Sequence, residues 1–169
     1  MDVFDVIKKR RSVRDFKLDS IPEDVLNKIL DAGRLAPSAH NSQNWKFIII
    51  REGEKRKQLA KAAGQDFIGK ASVVIALVSL EPDDIMSCGI PTYAVDLAIA
   101  GSYMVLEAWE LGIGTCWIGA FPQEEVKKII NIPEKYKVVT MLPFGFPAEM
   151  PSPRPRKKLE EITSYDKFK

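Results

Sequence analysis

Two kinds of segment in this chain carry enough donors and acceptors to do chemistry. One is the run Ala36-Pro37-Ser38-Ala39-His40-Asn41-Ser42-Gln43-Asn44-Trp45. Pro37 stops a preceding helix, because proline lacks a backbone donor and clashes with the turn before it. The polar residues that follow crowd a short turn ahead of the apolar Trp45–Ile50 stretch. Such a run is either a capping and turn cluster or a binding loop carried on rigid elements. The other kind is basic: Arg10-Arg11-Ser12-Val13-Arg14 near the start and Arg154-Pro155-Arg156 near the end. In an extended segment alternate side chains share a face, and the arginine fork matches a phosphate. Each basic run alone reads as a solvated charge run. Converging, they would bind a phosphate monoester, with the Ser12 hydroxyl as a further donor.

The remaining side chains offer little. There is one histidine, His40, which excludes a histidine-rich metal site and argues against a Ser-His-Asp triad; no metal is expected. Cys88 and Cys116 make neither a metal-ligand spacing nor a CxxC pair. A catalyst built from this set needs a cofactor to carry its chemistry. Neither a GxGxxG turn nor a GxxxxGK[ST] loop is present.

The elements that must position these residues follow from patterning. The 169 residues suit one domain, 1–169, with a real core, and 46% hydrophobic against 28% charged residues excludes disorder. The net charge of +2 is low for a general nucleic-acid binder. The opening Met-Asp-Val-Phe-Asp lacks a basic region followed by an apolar core, and the longest apolar stretch, 93–111, carries Asp96, Glu107 and Glu110, so neither a signal peptide nor a membrane span is expected and the location should be cytoplasmic.

Residues 2–10 read as a short amphipathic helix. Pro22, Glu23 and Asp24 open a second, running to about Leu35. A strand is expected at 45–51, a charged helix at 54–63, and a strand buried on both faces at 72–79. A Pro, Asp and Gly loop covers 81–91. The helix over 92–111 is apolar nearly all round, so it is central or lies in a subunit interface. A strand over Thr115–Ala120, a helix opened by Pro122 and a strand over 137–145 complete a layered α/β or α+β domain. The tail after Pro147 has no core of its own and should extend over another surface, that of its own domain or of a partner chain.

Taken together and in order, these segments resemble the FMN-dependent nitroreductase family in its short form. The matching residues are Arg10–Arg14, Ala36–Trp45, Asp96, Leu111-Gly112-Ile113-Gly114-Thr115-Cys116-Trp117-Ile118-Gly119, Phe144-Gly145-Phe146-Pro147 and Arg154–Glu161. The chain departs from the usual Gln-Pro-Trp at Gln43-Asn44-Trp45. The resemblance implies an α+β fold with a mostly antiparallel central sheet flanked by helices, and a C-terminal tail exchanged between subunits. It implies a homodimer with FMN at the interface, and NAD(P)H as donor. Hydride would pass through flavin N5 to a small acceptor (nitroaromatic, quinone, enone or flavin) in a ping-pong cycle. Arg10, Arg11, Ser12 and Arg14 would hold the phosphate, the ribityl chain and the pyrimidine edge, with Arg154 and Arg156 completing the phosphate site. Pro37, Ser38, Ala39 and Asn41 would come from the other subunit and line the isoalloxazine. The backbone of Ile118 and Gly119 would reach N5, and Gln65 the pyrimidine ring. The short 81–91 loop implies an open pocket. Two alternatives are a flavin-binding module that stores or senses FMN without turnover, and a basic adaptor for nucleic acid.

Overall fold

A computed structural model describes residues 2–168; Met1 and Lys169, the ends of the expected 1–169 domain, lie outside them. Helix α1 (Val3–Lys9) starts at Asp2, whose carboxylate accepts from the Asp5 N–H at 2.9 Å. Helix α2 (Glu23–Arg34) follows Pro22, with Glu23 and Asp24 in its first turn, where the helix dipole favours acids. It buries Leu26, Ile29 and Gly33.

Four strands form one sheet in the order β1-β2-β4-β3: β1 (Trp45–Ile50), β2 (Val73–Ser79), β3 (Gly114–Thr115) and β4 (Lys137–Gly145). Every pairing is antiparallel. β2 is buried along its whole length, as its unbroken apolar run requires for a strand covered on both faces. On one face lie helices α3 (Gly53–Ala63), α4 (Phe67–Lys70) and α6 (Gln123–Ile129), around Leu59, Ile68, Val74 and Met141. On the other, α2 and α5 (Thr92–Glu110) enclose Leu26, Ile75, Leu77 and Met104.

The short α4 was not foreseen: four residues give no helical period to read. The strand expected over Thr115–Ala120 is also shorter than its pattern suggests. Only Gly114 and Thr115 pair as a strand, and Ile118 makes a single bridge to Met141. α5, the most apolar helix, buries Asp96, Leu97, Ala100, Met104, Val105 and Ala108. No helix among the described residues is long and apolar enough to cross a membrane.

Candidate functional site

The N-terminal basic segment begins where α1 stops. The Arg10 N–H closes the helix onto the Val6 carbonyl at 2.9 Å, and Arg10 itself is extended. The chain then lies against β3. The Val13 N–H donates to the Thr115 carbonyl at 2.9 Å, and Ser12 bridges Thr115. Val13 and Phe16 are buried, whereas Arg14 and Asp15 face out. Gly114 permits this approach, because a Cβ there would stand 2.7 Å from Val13 Cγ2.

The far end of the chain returns to the same place. Lys17 N–H donates to the Phe146 carbonyl at 2.8 Å and Ala148 N–H to that of Asp15 at 3.0 Å. This short ladder carries the tail past residues 15–17. Pro151, Pro153 and Pro155 then keep it extended, since proline fixes φ and favours an open left-handed helix. The result is a cleft of about 1120 Å³ in which Arg154 and Arg156 face Arg10, Arg11, Ser12 and Arg14.

The cleft is strongly basic: Lys8, Arg10, Arg11, Arg14, Arg154 and Arg156 line it against two acids, Asp15 and Glu149. None of the five arginines is paired with a carboxylate among the described residues. Burial, and then the charges of Arg156 and Arg11, hold the Arg10 guanidinium below its usual pKa. Arg10 Nη1 lies 3.5 Å from Ser12 Oγ. Clustered guanidiniums that outnumber the nearby carboxylates and pair with none of them, beside a hydroxyl, are the donor set that a phosphate dianion would satisfy. Arg11 differs from its neighbours. Its Nη1 donates to the carbonyls of Lys8, Lys9 and Arg10 at 2.9, 2.8 and 2.9 Å, so it braces the C-terminal end of α1 as well as lining the cleft.

The segment 116–119 lies close behind Arg14. Cys116 is buried, which pushes its thiol pKa up, while the nearby charges of Arg14 and Arg10 pull the other way. Ile118 N–H donates to the Met141 carbonyl at 3.0 Å, and the Ile118 carbonyl accepts from Met141 N–H and from Thr140 Oγ1. Both backbone groups of Ile118 are therefore spent within the fold. This narrows the expectation for the pair, because Ile118 has no N–H left for a ligand. The Gly119 N–H has no partner among the described residues, and a Cβ on Gly119 would meet nothing within 4 Å. Gly119 thus presents a free donor beside open space.

The remaining expected residues lie elsewhere. Gln65 follows Gly64, which ends α3 in the left-handed region at φ 62°, and its N–H caps the Ala60 carbonyl at 2.9 Å. Pro37, Ser38, Ala39 and Asn41 form the turn between α2 and β1. None of these, nor Ile118 or Gly119, lines the arginine cleft of the same chain.

The 38–43 loop is itself unusual. His40, Asn41 and Gln43 all have positive φ, at 53°, 55° and 52°. This conformation costs a side-chain-bearing residue about 1 kcal/mol or more. Two long-range or cross-loop bonds hold it. Ser38 Oγ accepts from Gln43 N–H at 3.0 Å, and Asp96 on α5 accepts from Ala39 N–H at 3.1 Å. Sequence reasoning did not assign Asp96 to the site. Its signals were an acid in the apolar first half of a long helix and its place among the residues that carry the family resemblance.

The comparisons with known proteins agree with this architecture. The model of the Nitroreductase family matches residues 7–71 and 62–146. A protein of Methanothermobacter thermautotrophicus, provisionally assigned as an NADH dehydrogenase/NAD(P)H nitroreductase, is 34% identical over 163 residues, covering 91% of this chain and 82% of its own. The crystal structure of a nitroreductase family protein from Clostridium novyi superposes with a TM-score of 0.84 at 33% identity, over 88% of this chain and 87% of that one. An FMN-dependent nitroreductase from Clostridium difficile does so with a TM-score of 0.84 at 26% identity, over 96% and 98%. With its antiparallel sheet between two helical layers, and with matches over most of its length, the chain belongs to the nitroreductase family.

Proposed function

We propose that residues 1–169 form one FMN-binding domain that acts, as a homodimer, as an NAD(P)H-dependent oxidoreductase. The observation that carries this reading is the convergence of Arg10, Arg14, Arg154 and Arg156, from opposite ends of the chain, on one cleft without a carboxylate partner. The names of the relatives point the same way: one is an FMN-dependent nitroreductase, another a provisional NAD(P)H nitroreductase.

Bound FMN would supply the two-electron chemistry, taking hydride from NAD(P)H and passing it to a small acceptor at the same face in ping-pong order. The chain's own residues bind and orient. Arg10, Ser12, Arg154 and Arg156 hold the phosphate, with Arg11 fixing the helix end beside them. Arg14 lies at the pyrimidine side, where its charge favours the reduced, anionic ring. Gly119 N–H is the donor toward N5, and Gln65 is the further candidate for the pyrimidine edge. Pro37, Ser38, Ala39 and Asn41 of the second subunit line the ring. The acceptor is a nitroaromatic, quinone, enone or flavin, and the setting is the cytoplasm, where NAD(P)H is available.

Exposed apolar side chains support the dimer. Phe4 and Ile7 on α1, Tyr103 on α5, and Leu159, Ile162 and Phe168 of the tail all face solvent in the single chain. In the dimer the tail exchanges between subunits and covers such surface.

The test is the absorption spectrum of the purified protein, followed by anaerobic addition of NADH or NADPH. A yellow protein with one FMN per subunit that bleaches on a catalytic timescale meets the expectation. A flavin that binds but is not reduced at a useful rate would favour the storage module. A colourless protein that takes up no added FMN would sink both.

A further inference from the structure

Asp96 is 6% exposed and sits on α5 among Leu97, Ala100 and other apolar neighbours. No cation pairs with it among the described residues. Its two oxygens share one donor, the Ala39 N–H, at 3.1 and 3.3 Å. A carboxylate in such a place is costly, and a purely connecting role would be met more cheaply by a neutral acceptor. What a carboxylate adds is a stronger bond, since an ionised acceptor roughly doubles the strength of a hydrogen bond.

The segment it holds needs that strength. Three of the four residues from His40 to Gln43 stand in the left-handed region, without a glycine among them. Asn41 N–H and Ser42 N–H close tight turns onto the Ser38 and Ala39 carbonyls at 2.9 and 3.0 Å. Ser38 Oγ ties the loop to itself, whereas Asp96 ties it to the core from 57 residues away in sequence. Strained backbone of this kind persists where the surroundings over-determine it, and it concentrates at ligand sites. The bond also consumes the Ala39 N–H. The loop therefore offers outward only what Asp96 leaves free, including the Pro37 ring and the Ala39 methyl.

We propose that Asp96 is a positioning residue for the flavin: it holds the 38–43 loop in its left-handed shape so that the loop fits the isoalloxazine ring bound by the other subunit. This rests on the FMN reading above. It predicts an effect on the ring and none on the phosphate, since the arginine cleft lies elsewhere in the same chain.

The experiment compares the full-length parent with Asp96→Ala and Asp96→Asn. Asparagine keeps an oxygen for the Ala39 N–H, and alanine keeps none. In Asp96→Ala, the Kd for FMN and the Kd for riboflavin should both rise more than tenfold and by a common factor, with an altered visible circular dichroism of the remaining bound flavin. Asp96→Asn should recover part of the loss in both constants, falling between alanine and the parent, because its neutral oxygen accepts the same N–H more weakly. Hydrogen exchange of the flavin-free protein supplies a second measurement. Amides 39–43 should exchange at least tenfold faster in Asp96→Ala while those of β2 keep their protection, showing that the core has not melted. Parental affinity and parental loop exchange in Asp96→Ala would overturn the proposal, as would an asparagine variant no better than alanine. If the parent itself binds no flavin, the oxidoreductase reading fails, and the exchange measurement still decides whether Asp96 pins the loop.

Discussion

Ile118 and Met141 exchange a reciprocal pair of backbone hydrogen bonds, N–H to carbonyl at 3.0 Å and back at 3.1 Å. The pair tethers the segment after β3 to the middle of β4 and leaves Gly119 as the first residue beyond it with an uncommitted N–H. If that N–H serves flavin N5, Gly119→Pro removes it while Gly119→Ala keeps it. The added Cβ meets open space in the single chain, so the alanine variant should fold as the parent does. Reduction by NAD(P)H, followed by stopped flow, should slow about tenfold in the proline variant, corresponding to ~1.4 kcal/mol of lost stabilisation. Equal rates in the proline variant and the parent would remove Gly119 from the role.

The two arginine segments should separate by ligand. Arg156→Ala is expected to weaken FMN by about 1.5–3 kcal/mol, the worth of a charge-assisted hydrogen bond. Riboflavin, which lacks the phosphate, should bind parent and variant alike. Arg14→Ala should instead lower the flavin potential and slow reduction, with a smaller effect on the phosphate. Titration of both variants with both flavins checks this. An Arg156→Ala protein that loses riboflavin as much as FMN would remove the tail from the phosphate site.

Gly33 is the point where α2 meets α5. A Cβ there would lie 2.1 Å from Met104 Cε, and Met104 is fully buried. Alanine would gain about 1 kcal/mol of helix propensity over glycine. Overpacking a filled core costs ~1–3 kcal/mol. The expected net result for Gly33→Ala is a loss of up to about 2 kcal/mol in denaturant titration. Adding Met104→Ala should cost less in the Gly33→Ala background than in the parent, because the shortened side chain vacates the clash. Additive losses would show that the two residues do not compete for space.

The two cysteines should react differently. Cys88 is exposed, while Cys116 is 2% exposed and its thiol pKa is raised by burial. A raised pKa means less thiolate at a given pH, and the thiolate is the nucleophile. At pH 8 a thiol reagent should label one site in the native protein and both in denaturant. Rapid labelling of Cys116 in the folded state would show that the β3–β4 region opens readily.

Assembly offers a direct check. The parent should sediment as a dimer at micromolar concentration. A charge at an exposed α5 position, Tyr103→Lys, should shift it toward monomer and lower its FMN content together. A stable FMN-loaded monomer would contradict the shared site.

Much of the fold was legible in the residues alone. The unbroken apolar run of β2, the acid-rich opening of α2, the proline that opens α6 and the nearly all-round apolar α5 each carry their cause locally, in hydrophobic period and helix-end chemistry. The arginines of both termini suit a phosphate only if they converge, and it is the fold that brings them to one cleft. Other features were settled only by tertiary contact. β3 pairs over two residues because β4 reaches Ile118 by one bridge and not by a ladder. Ile118 loses its N–H to Met141, Arg11 gives one nitrogen to the end of α1, and Asp96 finds Ala39 across 57 residues. Local pattern reports which face a residue prefers and where a helix can start. It cannot report which donor meets which acceptor, because those pairings join residues distant in sequence and exist only once the sheet has its register and the helices have packed.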